Sequence, residues 1–259
     1  MTMLERTLRE PGATVELLDE DPDLFDGVRP MELRRAQARL RAKVHGLRRG
    51  RWSGTVSSAA EPAVGLLVLD GLVLRTVEAC GRRGSELLGP GDLLRPWEHD
   101  GAAASIPFDV RWDVLETCRI AVLDQRFLEV ANEWPEVLSA LFGRAVQRAQ
   151  WLALQLTIAN LRRVDDRLLA AFWHFADRWG TAGPDGVVVP LAVTHDVLAQ
   201  IVSAQRPTVT AALHRLQETG RVRRDVDRTW LLLGGPWTPH SRCSMATPST
   251  SRADRILAA

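Results

Sequence analysis

The stretch Ser203–Leu216, "SAQRPTVTAALHRL", has helical spacing. It nevertheless carries a proline at its fifth position, and small side chains where an amphipathic helix usually sets long charged ones. Val209, Leu213 and Leu216 form its apolar stripe. Opposite stand Arg206, Thr210 and His214, four apart, with Ala211 beside them. Pro207 falls in the first turn, where a missing N–H costs nothing and the fixed φ helps start a helix. Upstream, "VTHDVLAQIV" (Val193–Val202) predicts a short helix with Thr194 as N-cap and Val197, Leu198, Ile201 and Val202 inward. Ala199 is small, as a close helix crossing requires, and Ser203-Ala204-Gln205 makes a turn. Helix, three-residue turn, helix is the arrangement whose second helix enters the DNA major groove. A groove about 12 Å wide admits a helix only when its leading face is not bulky, which accounts for the short outward side chains.

The chemistry of that face follows from residue type. Arg206 at the leading end can pair bidentately with guanine, while Gln205 and Thr208 are placed to bond phosphate oxygens. Downstream, "GRVRRDVDRTWLLLG" (Gly220–Gly234) predicts a hairpin around Asp225–Arg228, a wing. The candidate DNA-contacting set is Thr194, His195, Gln205, Arg206, Pro207, Thr208, Thr210, Ala211 and His214, with Arg221, Arg223 and Arg224 from the wing. The alternative is a small helical subdomain packed against something other than DNA.

Working back along the chain, "DDRLLAAFWHFADRW" (Asp165–Trp179) predicts a helix burying Leu168, Leu169, Phe172, Phe175 and Ala176. "TAGPDG" after it reads as a loop, and "VVVPLAV" as one or two short strands. Before it, Leu138, Phe142, Ala145, Ala149, Leu152, Leu156 and Ala159 repeat at spacings of four and three. That is a narrow heptad seam on a helix of about 28 residues, roughly 42 Å long. It suits a two-helix contact between subunits, and a core helix of its own domain is the other reading. Asp124 can cap a short helix, Gln125–Asn132, before Trp134-Pro135 restarts the chain.

From about Arg39 to Leu123 the signals are strands and turns, which indicate an antiparallel barrel or jelly roll. "AVGLLVLDGLVLRTV" (Ala63–Val77) sets Asp70-Gly71 between two apolar runs, a hairpin signal. "LLGPGDLL" (Leu87–Leu94) reads as a second turn, and "CRIAVLD" (Cys118–Asp124) as the end of a strand. Residues 1–28 are acidic and poorly periodic and read as a loosely held arm. The tail 236–259, rich in Pro, Ser and Thr, is expected to be disordered. The expected division is an arm at 1–28, a barrel at 29–132, a dimerisation helix at 133–163, a winged helix-turn-helix at 164–235 and the tail. The fold class is α+β.

Composition narrows the function. The 259 residues are 46% hydrophobic and 25% charged, as in a soluble globular protein, and no apolar run is long enough to span a membrane. Three distant cysteines without a C-x-x-C pair exclude a disulfide framework and a cysteine-built metal site, and the six histidines lack ligand spacing. The net charge of +1 neither supports nor opposes nucleic-acid binding, which needs only a local basic face. Lys43 is the only lysine among 33 basic residues, a mark of a GC-rich genome. No G-x-S-x-G, P-loop, G-x-G-x-x-G or H-E-x-x-H motif is present, so an enzyme is not expected, and no cofactor is expected either.

Taken together, "RLLAAFWHFADRWG", "VTHDVLAQIVSAQRPTVTAALHRLQETGRVRR" and the closing "WLLLG" resemble regulators of the Crp/Fnr type, and the resemblance covers about Val28–Gly235. It implies a cyclic-nucleotide-binding-like jelly roll, a long dimerisation helix and a winged helix-turn-helix. It further implies a bacterial, cytoplasmic, nucleoid-associated homodimer acting on double-stranded DNA at an inverted repeat. By that similarity Arg206 matches the guanine-reading arginine and Thr208 a phosphate-contacting threonine. Pro207 stands where the best-known members carry a base-reading glutamate, so their target sequence does not transfer. The loop Thr181–Gly186, with "PDG" at 184–186, corresponds in activating relatives to a contact with RNA polymerase. The barrel departs from the pattern: Asp92-Leu93-Leu94 follows Gly91, and the Arg-Ser or Arg-Thr pair that neutralises a cyclic phosphate is missing, with "DGAAASIPF" (Asp100–Phe108) in its place. Arg95, Glu98 and Arg111 are either substitutes or ordinary surface residues. Independence of cyclic AMP is the resulting expectation. The competing class is a ligand-binding or scaffold protein on the same fold without sequence-specific DNA binding.

Overall fold

The computed structural model describes residues 13–56, 63–98, 104–225 and 229–235. In chain order the elements are β1 (Thr14–Glu16), α1 (Leu17–Glu20), a 3₁₀ turn at Pro22–Phe25, α2 (Pro30–Arg39), β2 (Arg41–Leu47), β3 (Gly50–Trp52) and β4 (Gly65–Ala79). Then come β5 (Arg82–Leu88), β6 (Leu93–Leu94), a second 3₁₀ turn at Pro96–Glu98, β7 (Phe108–Leu123), α3 (Gln125–Ala131) and α4 (Pro135–Ala159). The chain closes with α5 (Val164–Trp179), β8 (Thr181–Gly183), β9 (Gly186–Val189), α6 (His195–Ile201), α7 (Arg206–Glu218), β10 (Val222–Arg224) and β11 (Trp230–Leu232). Two compact units result, residues 1–151 and 152–259, and the division falls within α4. The expected tail lies outside the described residues.

The first unit is an antiparallel sheet of seven strands, ordered β1-β2-β7-β4-β5, with β3 paired to β7 and β6 to β4. The strands β4 and β7, 15 and 16 residues long, form its spine. One core lies between strands, built on Trp52, Leu66, Val68, Leu88, Trp112 and Ile120. A second gathers Leu17, Leu24, Phe25, Leu40, Leu67, Leu123, Phe127, Trp134, Val137 and Leu141. Asp124 caps α3 as its spacing predicted: its carboxylate accepts the Phe127 N–H at 2.9 Å.

Two expectations are corrected here. Residues 13–28 are no loose arm, since β1 pairs with β2 and Val15, Leu17, Leu24, Phe25 and Val28 are buried. Their acidic side chains hid that pattern, because two of the acids have basic partners supplied from elsewhere: Asp21 meets Arg144, and Glu20 meets Arg119. Asp70-Gly71 is likewise no hairpin. β4 runs through it, with register shifts between Val68 and Val73 that mark a bulge. Gly71 has φ +83°, and a Cβ there would lie 2.4 Å from the Thr117 carbonyl oxygen, so glycine is required by close approach and not by a turn. The hairpin falls at Cys80-Gly81, both at positive φ between paired Ala79 and Arg82, which is the two-residue primed turn that matches strand twist.

In the second unit α5 buries Leu168, Leu169, Phe172, Phe175 and Ala176, and Phe172 meets Trp230 with ring centroids 4.8 Å apart. Four antiparallel strands, in the order β10-β11-β9-β8, complete it. "TAGPDG" is therefore half strand, because Thr181–Gly183 finds a partner in β9. His174 is 7% exposed; burial, assisted by Arg178, pushes its imidazole down to about 4 from 6.5. A folded-state pKa below the unfolded one means the unfolded chain binds the proton first. This contribution is therefore intact above pH 6.5 and is lost as pH falls from 6.5 toward 4. Unfolding of the second unit should cost about 2 kcal/mol less at about pH 5 than at about pH 7, and His174→Gln should flatten that slope. Denaturant titrations at both pH values check it; equal slopes for the two proteins would contradict it.

Candidate nucleic-acid interface

The helix pair that the opening stretch predicted is present, as His195–Ile201 and Arg206–Glu218. Thr194 caps α6, its hydroxyl accepting the Val197 N–H at 3.3 Å. Val197, Leu198, Ala199 and Ile201 are buried on α6, and Val209, Ala212, Leu213 and Leu216 on α7. Between the helices Ser203 adopts φ +50°, in the left-handed region, and Ala204 donates to the Ala199 carbonyl at 2.9 Å. That backbone turns the chain sharply enough for α7 to leave with its other face outward.

Arg206, Pro207, Thr208, Ala211 and His214 are exposed on that face, and Thr210 is half-buried. Gln205 is the N-cap residue and makes no side-chain cap bond, so its amide stays available to an outside acceptor. No acidic residue occupies the first turn of α7. The positive end of the helix and its first-turn N–H groups are thus left to meet an anion.

The side chains are preset by neighbours distant in sequence. The His195 Nδ1 and Thr210 Oγ1 lie 2.9 Å apart, so Thr210 is held in one rotamer by the preceding helix. Burial, followed by the nearby Arg224 and Arg206 cations, lowers the His195 pKa, which favours the neutral ring near pH 7. The Arg206 Nε lies 3.6 Å from an Asp196 carboxylate oxygen, an exposed and weak pair. In the wing, Arg224 sits over the Trp230 ring at 5.3 Å, and Arg223 lies 3.7 Å from Asp185. Arg221 is half-buried; its backbone closes the wing by donating to Leu216 and accepting from Leu233. Asp196 and Arg215 were not singled out from sequence. Arg215 binds Asp165 of α5 through two bonds of 3.0 and 2.5 Å, a pairing that no local spacing signals.

Along α4, Val137 and Leu141 face the barrel core, while the neighbouring stripe is uncovered. Phe142 is 71% and Leu156 69% exposed; Ala145 and Ala149 are exposed, and Leu138, Leu152 and Ala159 are half-buried. Val146, apolar and exposed one turn after Phe142, widens that stripe beyond the predicted seam.

The glycine turn of the barrel is closed by its own side chains. Asp92 is buried and accepts the Gly89 N–H at 2.8 Å. Beside it, Glu86 takes two bonds from Arg148 of α4, at 2.6 and 2.8 Å, and a third from Arg75 at 3.4 Å. Arg95 pairs with Glu98 at 2.7 Å, and Arg111 with Glu78 at 3.4 Å. Of Asp100–Phe108, residues 100–103 lie outside the described set. Among the described residues no group of His, Cys, Asp and Glu could hold a metal ion, and no helix is long and apolar enough to cross a membrane.

Comparison with known proteins agrees with this geometry. Residues 166–233 match the family model of the Crp-like helix-turn-helix domain. A CooA mutant from Carboxydothermus hydrogenoformans superposes with TM-score 0.54 at 17% identity, over 74% of this chain and 83% of that one. FixK2 from Bradyrhizobium japonicum gives 0.55 at 18%, over 74% and 92%. A cyclic nucleotide-binding domain containing protein from Listeria monocytogenes EGD-e gives 0.55 at 16%, over 73% and 87%. At such identities the likeness establishes the fold. Among curated proteins, none matches the chain by sequence.

Proposed function

We propose that this chain, a Crp/Fnr-type regulator by its helix-turn-helix domain and its fold, is a homodimeric DNA-binding transcription regulator that reads an inverted repeat. The observation that carries the reading is the outward face of α7: an exposed arginine leads it, short side chains follow, and its N-terminal turn holds no acid. The exposed apolar stripe of α4 supports the dimer, since a row of Phe142, Val146 and Leu156 in water is unfavourable until a second copy covers it. The test is a mobility shift on genomic fragments at several salt concentrations. Sequence-selective, salt-dependent retardation is expected. Retardation of no fragment would leave a binding or scaffold role on the same fold.

In this reading no cyclic nucleotide is needed, and the protein acts in the cytoplasm, at the nucleoid. A buried cyclic phosphate requires a cationic partner, because an uncompensated charge costs several kcal/mol. The buried Arg119 is engaged with Glu20, the half-buried Arg75 and Arg148 with Glu86, and Arg95 and Arg111 have carboxylate partners of their own. Isothermal titration with cyclic AMP and cyclic GMP should show no micromolar binding and no change in DNA affinity; heat at micromolar ligand would refute this.

The hairpin β8–β9 is assigned to RNA polymerase on its position and on "PDG" at 184–186. Substitutions at Pro184 should alter transcription at a bound promoter and leave DNA affinity within about twofold; unchanged transcription would remove the assignment.

A further inference from the structure

We infer that Arg167 is a positioning residue that ties the end of α4 to the turn that launches α7, and so sets the separation at which two copies read DNA. Its Nε donates to the Leu161 carbonyl at 2.6 Å, just past the last residue of α4. Its Nη1 donates to the carbonyls of Val202 and Ser203, both at 3.2 Å, at the end of α6. One guanidinium thus serves the carbonyl ends of two helices. A cation is favoured at each, because the last carbonyls lack intrahelical partners and carry the negative end of the dipole. Ser203 is the residue with φ +50°, so the fork holds the backbone where α7 takes its direction.

A second contact from the same turn of α5 completes the geometry. Asp165, two residues before Arg167, holds Arg215 near the far end of α7. The recognition helix is therefore clamped to α5 at one end by an ion pair and at its entry by Arg167. The planar fork is what reaches two segments at once; an ammonium keeps the charge but not that spread.

The consequence rests on the homodimer reading above. If two α4 helices pair, a rigid link from the end of α4 to α7 fixes the distance between the two recognition helices. Loosening that link should spare each half-site contact and blur the spacing. The experiment uses full-length protein and duplexes selected by the wild type from a random pool. These are tested intact, with one base pair inserted or removed between half-sites, and as single half-sites.

Wild type should prefer its selected spacing by tenfold or more, on the order expected for a rigid dimer. Arg167→Gln should bind the intact duplex roughly tenfold less tightly, discriminate among spacings by less than about threefold, and bind the single half-site within about twofold of wild type. Arg167→Lys, which keeps the positive charge but not the reach to both segments, should show the same loss of spacing preference with little change in Tm, so a folding defect in the glutamine variant does not decide the outcome. Either variant keeping the wild-type spacing preference would overturn the inference alone. Parallel losses on full and half sites that follow Tm would also overturn it, as a purely structural arginine predicts. A wild type with no spacing preference would overturn the dimeric reading and the inference with it.

Discussion

Arg206→Ala should weaken binding to a selected operator by roughly 5- to 150-fold, about 1–3 kcal/mol, and relax the preference at one guanine in each half-site. Binding to random duplex should change by less than about threefold, since a base contact contributes little there. The side chain is well placed for this. It is 67% exposed, it leads α7, and its pair with Asp196 is long and 59% exposed on the acid side, so little is lost in releasing it to a base. Competition titrations against the selected site and against random duplex measure both effects. An equal loss on the two would reassign Arg206 to phosphate.

Leu156→Asp should raise the dimer dissociation constant by about a thousandfold, near 4 kcal/mol, because symmetry buries two carboxylates against an apolar seam and against each other. Leu156 is 69% exposed in the single chain, so the protomer itself should keep its fold and its Tm. Operator affinity should fall with the dimer, because the second half-site then has to be filled from solution and no longer at high effective concentration. Sedimentation of wild type and variant at micromolar concentration, with DNA titrations beside it, makes the comparison. A wild type that sediments as a monomer would refute the seam.

The candidate site divides in the same way into parts that can be read locally and parts that cannot. Thr194, Ser203, Pro207 and the stripe Val209, Leu213, Leu216 could be placed from spacing alone. The state of Thr210 could not, because the hydroxyl is held by His195, fifteen residues earlier. Asp196 sits one residue after His195 and reads as an ordinary first-turn acid until α7 brings Arg206 to it.

By itself the sequence determined the helix-turn-helix with its boundaries, the caps at Asp124 and Thr194, the long helix and its exposed apolar stripe, and the strand-rich character of the first unit. All of these depend on residues within about four of one another, where helical and strand periodicity and turn chemistry act. Only the tertiary structure decided that Asp70-Gly71 bulges within one strand, since Gly71 is required by the Thr117 carbonyl of β7 and not by a neighbour. It also decided that residues 13–28 belong to the barrel, since their strand exists through pairing with β2 and Glu20 and Asp21 are matched by Arg119 and Arg144. The roles of Arg148, Arg167 and Arg215 were decided there too. Each guanidinium acts on a group far along the chain, and a long charged side chain leaves no periodic trace of where folding will carry its end.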